Sequence, residues 1–276
     1  MSLLSVNQLL VVLGTESVAL VNRSLGLRRR IVDQKHVLFP QQLDELKRET
    51  PIWLQTTNRL DALLASMQVK PKTQLNIILA SDFVRYLALP PQQIYMSGTE
   101  KLAYALAAYR EIHGAVVDGW EMKLHDVPAH QTTIAAAIDG KLIEVLKQIA
   151  LKYQLKLISV KPYLMSAFNC LTSQIGKKNG YLVIVEFNRL LLINLDKGRC
   201  INVRSFTLGS DWQVELKNLM MRELLLSENK DQEILVYAPV QKNIPLNAIE
   251  GWQVKRIGTL KNVLSNYHFA MLEAAL

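Results

Sequence analysis

The sequence has few residues that build metal or disulfide sites, and it has no hydrophobic run that could cross a bilayer. Its two cysteines, Cys170 and Cys200, show no CxxC or Cys/His ligand spacing, so we expect buried thiols in a reducing compartment. No apolar run approaches the roughly 18–20 residues that a membrane-spanning helix needs. The start MSLLSVNQLL lacks the basic region and cleavage site of a secretory signal. These absences predict a cytoplasmic protein.

Several catalytic motifs are also missing. No GxxxxGK[ST] or GxGxxG occurs, so neither a Walker-type nor a Rossmann nucleotide site is indicated. The nearest grouping of metal ligands is His125, Asp126 and His130, which flank a proline in a predicted loop, and we predict no metal site. A nuclease of ribonuclease-H type needs carboxylates on its central strands to bind two metals. The first strand, LLVVL, has none, so a nuclease is disfavoured.

The charge balance is strongly basic and indicates acidic partners. The net charge is +8 and half of the residues are hydrophobic, which predicts a well-packed protein with a positive surface. The densest basic cluster, Arg23 with Arg28, Arg29 and Arg30, is a candidate contact patch for an anionic membrane face or an acidic protein. No aromatic residues alternate with these arginines, as a stacking platform for single strands would require. Nucleic acid is therefore disfavoured as a partner.

Hydrophobic periodicity predicts strands and helices that alternate along the chain. One helix has a clear start, because Ser97 and Glu100 have the spacing of a capping box, and it ends at Gly114. In a later helix we expect Arg222 and Glu223 to face solvent. The predicted elements are a hairpin over 9–26 with its turn at 14–17, strands over 30–38, 74–80, 83–89, 120–127, 132–138, 155–160, 201–208 and 233–238, a second hairpin over 181–198, and helices over 57–67, 97–114, 141–153, 162–172, 212–226 and 267–275.

The sequence predicts an internal duplication. The segment Tyr181–Gly198 aligns without gaps with Leu9–Gly26. Each of the two segments is a predicted strand hairpin, and a strand, a helix and another strand follow it in the same order. A turn signal, Lys177-Lys178-Asn179-Gly180, separates the halves and predicts lobes over 1–176 and 181–276. Tight hairpins at the start of each half favour two mixed sheets over a doubly wound parallel sheet. The identical positions are Leu10/Leu182, Val11/Val183, Leu20/Leu192, Asn22/Asn194 and Gly26/Gly198.

The segment VLGTESVALVN, Val12 to Asn22, resembles the first phosphate-loop strands of the PilM-like actin-like proteins of type IV pilus assembly. More loosely, it is similar to the cytoplasmic L-type (GspL-like) proteins of type II secretion. The resemblance implies a duplicated actin-like ATPase (ribonuclease H-like) fold with two lobes, each with a mixed sheet that opens in a strand meander. The residues that match the family pattern are Gly14, Ser17, Val18, Leu20 and Val21.

The departures from that family pattern predict that the chemistry has been lost. Active members have an Asp that holds magnesium-bound water and a Lys that approaches the phosphates, and this chain has Val12 and Ala19 there. The second loop has Glu186 or Asn188 where a Gly should let backbone amides close on phosphate oxygens. We therefore expect no catalytic residue, no metal, and neither ATP nor magnesium as cofactor. The degenerate phosphate-loop positions are Val12, Gly14, Thr15, Ser17, Ala19, Glu186 and Asn188.

The function that the resemblance implies is structural. We expect a non-catalytic cytoplasmic scaffold, peripheral to the inner membrane, that binds the cytoplasmic tail of an inner-membrane assembly protein of a type IV pilus or type II secretion-like machine. Two alternatives stay open at this stage. One is an actin-like ATP-binding protein or kinase-like enzyme with an atypical site, and the other is a basic nucleic-acid-binding protein.

Overall fold

The computed structural model describes residues 7–25, 30–39, 50–125, 127–128, 130–209, 211–226, 233–258 and 267–275. Its strands are β1 (Asn7–Leu13), β2 (Ser17–Ser24), β3 (Arg30–Leu38), β4 (Gln74–Leu79), β5 (Val84–Leu89), β6 (Trp120–Leu124), β7 (Thr133–Asp139), β8 (Lys156–Pro162), β9 (Gly180–Val185), β10 (Arg189–Asp196), β11 (Arg199–Thr207), β12 (Glu233–Tyr237) and β13 (Gln253–Arg256). Its α-helices are α1 (Leu54–Ala65), α2 (Gly98–His113), α3 (Gly140–Lys152), α4 (Tyr163–Ile175) and α5 (Trp212–Leu226). Short 3-10 helices cover Ser81–Phe83, Gly114–Gly119, Pro239–Gln241 and Tyr267–Ala275.

Two five-stranded sheets with the same strand pattern frame the molecule. The first has the order β3-β2-β1-β4-β8 and the second β11-β10-β9-β12-β13. In each sheet the first three strands form an antiparallel meander, and the later strands pair in parallel. Strands β1 and β9 lie at the centre, with side chains buried on both faces, which explains their continuous runs of Leu, Val and Ile.

The strand registers confirm the internal duplication that the sequence predicts. Leu10 pairs with Val21 in the first hairpin, and Leu182 pairs with Ile193 in the second. The residues paired in the second hairpin are therefore those that align in sequence with the residues paired in the first. The repeat is therefore structural as well as sequential.

A smaller sheet is inserted into the first lobe. Its order is β5-β7-β6, and α2 covers one of its faces, burying Tyr109 completely. The predicted capping box is present, because Ser97 Oγ accepts from the backbone N–H of Glu100 and the Glu100 carboxylate accepts from the backbone N–H of Ser97. The helix ends at Gly114, whose φ of 74° suits glycine. The small sheet also contacts β11, so it lies against both lobes.

One hydrophobic cluster joins the two lobes. Helix α4 lies between the large sheets, whereas α1 and α3 cover the outer face of the first sheet and α5 covers the outer face of the second. The joining cluster includes Val12 from the first lobe, Ile184 and Leu191 from the second, and Tyr163 from α4. The 3-10 helix Tyr267–Ala275 also packs into this cluster.

Some element boundaries differ from the prediction. Helix α1 begins at Leu54, ahead of the predicted Thr57, because the Thr56 and Thr57 hydroxyls bind the carbonyls of Gly14 and Leu54 rather than capping the helix. Strand β13 was not predicted. Its sequence, QVKR, is short and polar, and a strand at the edge of a sheet need not show the alternation of apolar and polar residues by which strands are recognised.

Two further expectations concern the solvent exposure of Glu223 and of the two cysteines. The expectation that Glu223 faces solvent is wrong: it is buried, accepts from the Tyr181 hydroxyl at 2.8 Å and pairs with Arg204 at 2.8 Å. Cys170 and Cys200 are free, half-buried thiols, and burial raises the pKa of Cys200 to about 12. No helix among the described residues is long and apolar enough to cross a bilayer.

Candidate functional site

Two turns of equal geometry face each other between the lobes. In the β1–β2 turn the backbone N–H of Gly14 donates to the Ser17 carbonyl at 2.8 Å, and in the β9–β10 turn that of Glu186 donates to the Arg189 carbonyl at 2.8 Å. Both turns lie at the carboxyl ends of the central strands, where open α/β sheets bind their ligands. Five of the predicted site residues belong to these turns: Gly14, Thr15, Ser17, Glu186 and Asn188.

Val12 and Ala19, the other two predicted positions, are direct cross-strand partners at the base of the first turn. Both are buried, with exposed fractions of 3% and 4%, and both belong to the cluster that joins the lobes. Their methyl groups pack where the resemblance leads one to expect a carboxylate and an ammonium. A charge there would be desolvated against apolar neighbours, so the neutral residues are part of a packed core.

Glu186 spans the gap between the lobes. It occupies the turn position that corresponds to Gly14, and its side chain reaches the start of the 3-10 helix that follows β4. There its carboxylate accepts from the backbone N–H of Ser81 at 2.8 Å and from the Ser81 hydroxyl at 2.6 Å. The Ser81 hydroxyl lies 3.2 Å from that of Tyr86, which continues the hydrogen-bonded chain. The carboxylate thus binds the N–H and O–H donors that an anionic ligand would use in such a cleft.

The environment of Glu186 perturbs its titration. The residue is 1% exposed, and burial raises the pKa of its carboxyl to about 7. The hydrogen bonds from Ser81 and the nearby Arg189 oppose this rise, while the charge of Asp82 adds to it. Desolvation is the largest of these effects, so the pKa of the Glu186 carboxyl lies near neutral pH.

Two more contacts hold the turns together beside Glu186. Arg189 Nε donates to the Asp82 carboxylate at 3.0 Å, and both side chains are mostly buried. The Asn188 amide lies 3.1 Å from Thr15 Oγ1; with its oxygen accepting from Thr15, its nitrogen donates to the Glu16 carboxylate at 3.3 Å. We call the set Thr15, Ser81, Asp82, Glu186, Asn188 and Arg189 the interlobe clasp.

Three members of the clasp were missed by sequence reasoning, namely Ser81, Asp82 and Arg189. Neither Asp82 nor Arg189 belongs to a sequence motif. The available signal was position, because Ser81 and Asp82 directly follow the buried strand β4, at the sheet edge where the carboxyl ends of parallel strands meet.

The predicted basic patch is only partly described. Arg23 is 9% exposed and donates from Nε to the Gln8 side chain at 2.7 Å, so it is not available as an exposed contact residue. Arg30 is exposed at the start of β3, while Arg28 and Arg29 lie outside the described residues. The patch therefore stays a prediction that rests on Arg30 and its two undescribed neighbours.

The absence of a metal site stays a prediction. Within the described residues, no group of three or more His, Cys, Asp or Glu side chains is arranged to hold a metal ion. Asp126, which stands between His125 and His130 in the sequence, lies outside those residues.

A groove separates the small sheet from the rest of the first lobe. Its volume is about 450 Å³, and it runs along β8, which pairs only with β4 among the described strands. It continues into an adjoining depression of about 350 Å³ that reaches α4 and the β10–β11 turn, and His125, Ile134 and Met165 line both parts. The apolar walls of the first part are formed by Tyr86, Ile134, Ala136, Ile138, Ile143, Leu157, Val160, Pro162 and Met165.

Comparison with known proteins identifies the fold. No family model and no curated protein matches the sequence. Among solved structures, a chain of the PilM–PilN type IV pilus biogenesis complex has a TM-score of 0.64 at 12% identity, with 99% of this chain and 98% of that chain covered. The cytoplasmic domain of EpsL, an inner-membrane component of the type II secretion system of Vibrio cholerae, has a TM-score of 0.58 at 10% identity, covering 98% and 94%.

A third structure agrees with these two. A Bacteroides thetaiotaomicron protein with an actin-like ATPase fold and unknown function has a TM-score of 0.58 at 12% identity, covering 97% of this chain and 95% of that one. The chain therefore has the actin-like ATPase fold, and its structural neighbours include proteins of pilus and secretion assembly. At these identities the likeness establishes the fold and leaves function to the site itself.

Proposed function

We propose that this chain is a non-catalytic scaffold of a type IV pilus or type II secretion-like assembly machine. It works in the cytoplasm, beside the inner membrane, and binds an extended cytoplasmic segment of an inner-membrane assembly protein. Two structural neighbours named for such machines support this proposal, one of them a complex with a second assembly protein. The observation that carries it is the groove along β8.

The groove has the features of a site for an extended peptide. Strand β8 lies at the edge of the first sheet, and the backbone groups on its outer side can pair with an added strand. The apolar walls on the small sheet and α4 then receive alternate side chains of the peptide. The rim is charged, with Lys123 and Lys147 exposed and Lys147 paired to Glu121 at 3.3 Å. A peptide with alternating apolar residues and an acidic flank fits this surface.

The interlobe clasp supports the non-catalytic part of the proposal. In an ATP-binding protein of this fold the facing turns must leave space for phosphates and a metal. Here Glu186 occupies that space and takes the Ser81 donors, while Arg189 is paired to Asp82. Triphosphate would have to break a buried hydrogen-bond network and approach a carboxylate of like charge. The alternative of an ATP-binding protein with an atypical site is therefore disfavoured.

Peptide binding is tested with labelled peptides that cover the cytoplasmic segments of single-span inner-membrane proteins encoded beside this gene. We expect one peptide to bind in fluorescence anisotropy, and Ala136→Trp, which fills the groove, to weaken it by about tenfold or more. The matched control is Ala62→Trp, at an exposed position of α1. Failure of every peptide, or equal binding by the two variants, would remove the groove from the proposal.

Loss of nucleotide binding is tested by calorimetric titration of Mg-ATP and Mg-ADP into the purified chain. We expect no heat of binding. Micromolar binding would instead support the ATP-binding alternative and would require the clasp to open.

The proposed position beside the inner membrane is tested with vesicles that contain anionic lipid, with neutral vesicles as the control. A basic surface should bind only the anionic vesicles.

A further inference from the structure

Helix α5 has apolar residues on both of its faces. Its inner face buries Trp212, Leu216 and Met220 against the second sheet. Its outer face carries Val214, Met221 and Leu225, which are 52%, 41% and 87% exposed. Packing within the lobe accounts for the apolar residues of the inner face. It does not account for those of the outer face, which are exposed.

The outer residues have the spacing of a coiled-coil seam. Val214, Asn218, Met221 and Leu225 follow one another in steps of four, three and four residues. Such alternation places a and d positions on one stripe of a helix, so that a second helix can pack along it. The stripe contains one polar residue, Asn218. An asparagine in such a seam selects register by demanding a polar partner in the facing helix.

The flanks of the stripe are basic. Lys217 and Arg222 are exposed on its two sides, and neither forms a salt bridge within the part of the chain that the structure describes. The two carboxylates of the helix are bound elsewhere: Glu215 accepts a hydrogen bond from the backbone N–H of Gly209 at 2.7 Å, and Glu223 pairs with Arg204 at 2.8 Å. Lys217 and Arg222 therefore present two basic side chains beside the stripe, which complement acidic e and g residues on a partner helix.

The duplicated lobe provides an internal comparison. Helix α1 covers the first sheet as α5 covers the second, but beyond Leu54 its exposed positions are small or polar. These are Asn58, Arg59, Ala62 and Ala65. The shared fold does not require an apolar outer stripe, so the stripe belongs to the second lobe alone.

We infer that α5 is a docking surface for one amphipathic helix of a partner protein, with an apolar seam and acidic flanks. A second copy of this chain fits less well. In a parallel pair Lys217 would lie beside Arg222 of the other copy, and an antiparallel pair that overlaps the whole stripe would set Asn218 against Met221. The site lies on a different lobe from the groove along β8, so a scaffold with both surfaces can hold two partners.

The probe is a synthetic helical peptide of about three heptads with leucine at a and d, one central asparagine at a, and glutamate at e and g. A matched peptide carries lysine at e and g. Fluorescence anisotropy with the full chain should show the acidic peptide binding about tenfold or more tightly than the basic one, with the affinity falling as salt is added.

Variants of the chain locate the contact. Leu225→Glu should abolish binding of the acidic peptide, whereas Leu151→Glu, which changes an 80% exposed leucine of α3, should leave it unchanged. The double charge reversal Lys217→Glu with Arg222→Glu should reverse the preference, so that the basic peptide binds. Because these side chains are exposed, the variants should keep the circular dichroism of the parent chain.

Three results would overturn the inference. Equal binding of the two peptides, or no binding of either, would show that the stripe does not select an acidic helix. Binding that survives Leu225→Glu would place the contact elsewhere. A dimer in analytical ultracentrifugation that Leu225→Glu dissociates would assign the stripe to a second copy of the chain.

Discussion

Glu186 and Ser81, which lie in different lobes, form the central contact between the two turns. Ser81 donates from its backbone N–H to one carboxylate oxygen of Glu186 at 2.8 Å and from its hydroxyl to the other at 2.6 Å. The contact therefore links the β9–β10 turn of one lobe to the 3-10 helix that follows β4 in the other.

We expect Glu186→Gln to remove a pH dependence of stability. Since burial raises the pKa of Glu186 to about 7, the folded chain holds its proton across the range in which the unfolded chain has lost it. The free energy of unfolding should therefore fall as pH rises from the ordinary glutamate pKa towards 7. Glutamine does not ionise: its amide oxygen can accept from the Ser81 N–H, and its NH2 group can donate to the Ser81 hydroxyl oxygen. Relative to the parent, the variant should gain roughly 2–3 kcal/mol between about pH 5 and pH 8. Urea denaturation at each pH measures this, and parallel curves for the two proteins would contradict it.

The pair Arg189 and Asp82 should be strongly coupled. Their side chains are 22% and 11% exposed, so removing either leaves a partly buried charge without its partner. We expect Arg189→Ala and Asp82→Ala each to cost about 2 kcal/mol, with a coupling energy on the order of 1–2 kcal/mol in a double-mutant cycle. The exposed pair Arg199 and Asp196, at 50% and 44%, is the control and should couple by less than about 0.5 kcal/mol. Equal coupling energies in the two cycles would show that the Arg189–Asp82 pair stabilises the fold no more than an exposed ion pair does.

An aspartate at Val12, the residue that the PilM-like pattern has at this position, should destabilise the chain without creating a nucleotide site. Val12 is 3% exposed within the cluster that joins the lobes, so an aspartate there loses its hydration and gains no partner. We expect Val12→Asp to cost more than about 3 kcal/mol in thermal or urea unfolding. Val32→Asp, at a 58% exposed position of β3, is the matched control and should change stability by less than about 0.5 kcal/mol. Mg-ATP binding by the Val12 variant would refute the view that packing closes the site.

Two turn glycines, Gly14 between β1 and β2 and Gly198 between β10 and β11, should respond differently to alanine. Gly198 has a φ of +77°, and a Cβ there would collide with the Gly176 carbonyl oxygen. Gly14 needs no such conformation, and its added Cβ would meet the Ser17 hydroxyl oxygen at 3.1 Å, which a small shift can relieve. Gly198→Ala should cost more than about 2 kcal/mol and Gly14→Ala less than about 1 kcal/mol. Thermal unfolding compares them, and a reversed order would mean that Gly14 still serves a backbone requirement.

Much of the fold was predictable because its signals are local. The hairpin turns, the capping box at Ser97 and the boundary turn at Gly180 each depend on a few neighbouring residues. The duplication was also predictable, since the two hairpins repeat their hydrophobic positions in one register. Strand β13 was not, because a short edge strand has no pattern of its own.

The candidate site was predictable only in part. Its two turns were identified from the repeat, and the neutral residues at Val12 and Ala19 were visible in the sequence. The partners Ser81 and Asp82 were not, because 105 residues separate Ser81 from Glu186 and no periodicity links them. The groove along β8 and the outer stripe of α5 also depend on which faces the tertiary structure leaves uncovered.

By itself, the sequence determined the two hairpins, their common register and the absence of charge at Val12 and Ala19, because backbone turns and side-chain ionisation are properties of local residues. The tertiary structure alone decided how the cleft is closed. Only the packing of the two lobes brings the Glu186 carboxylate to Ser81 and Arg189 to Asp82. The same packing buries Glu186 beside Asp82, and this burial is the main cause of the rise in its pKa to about 7.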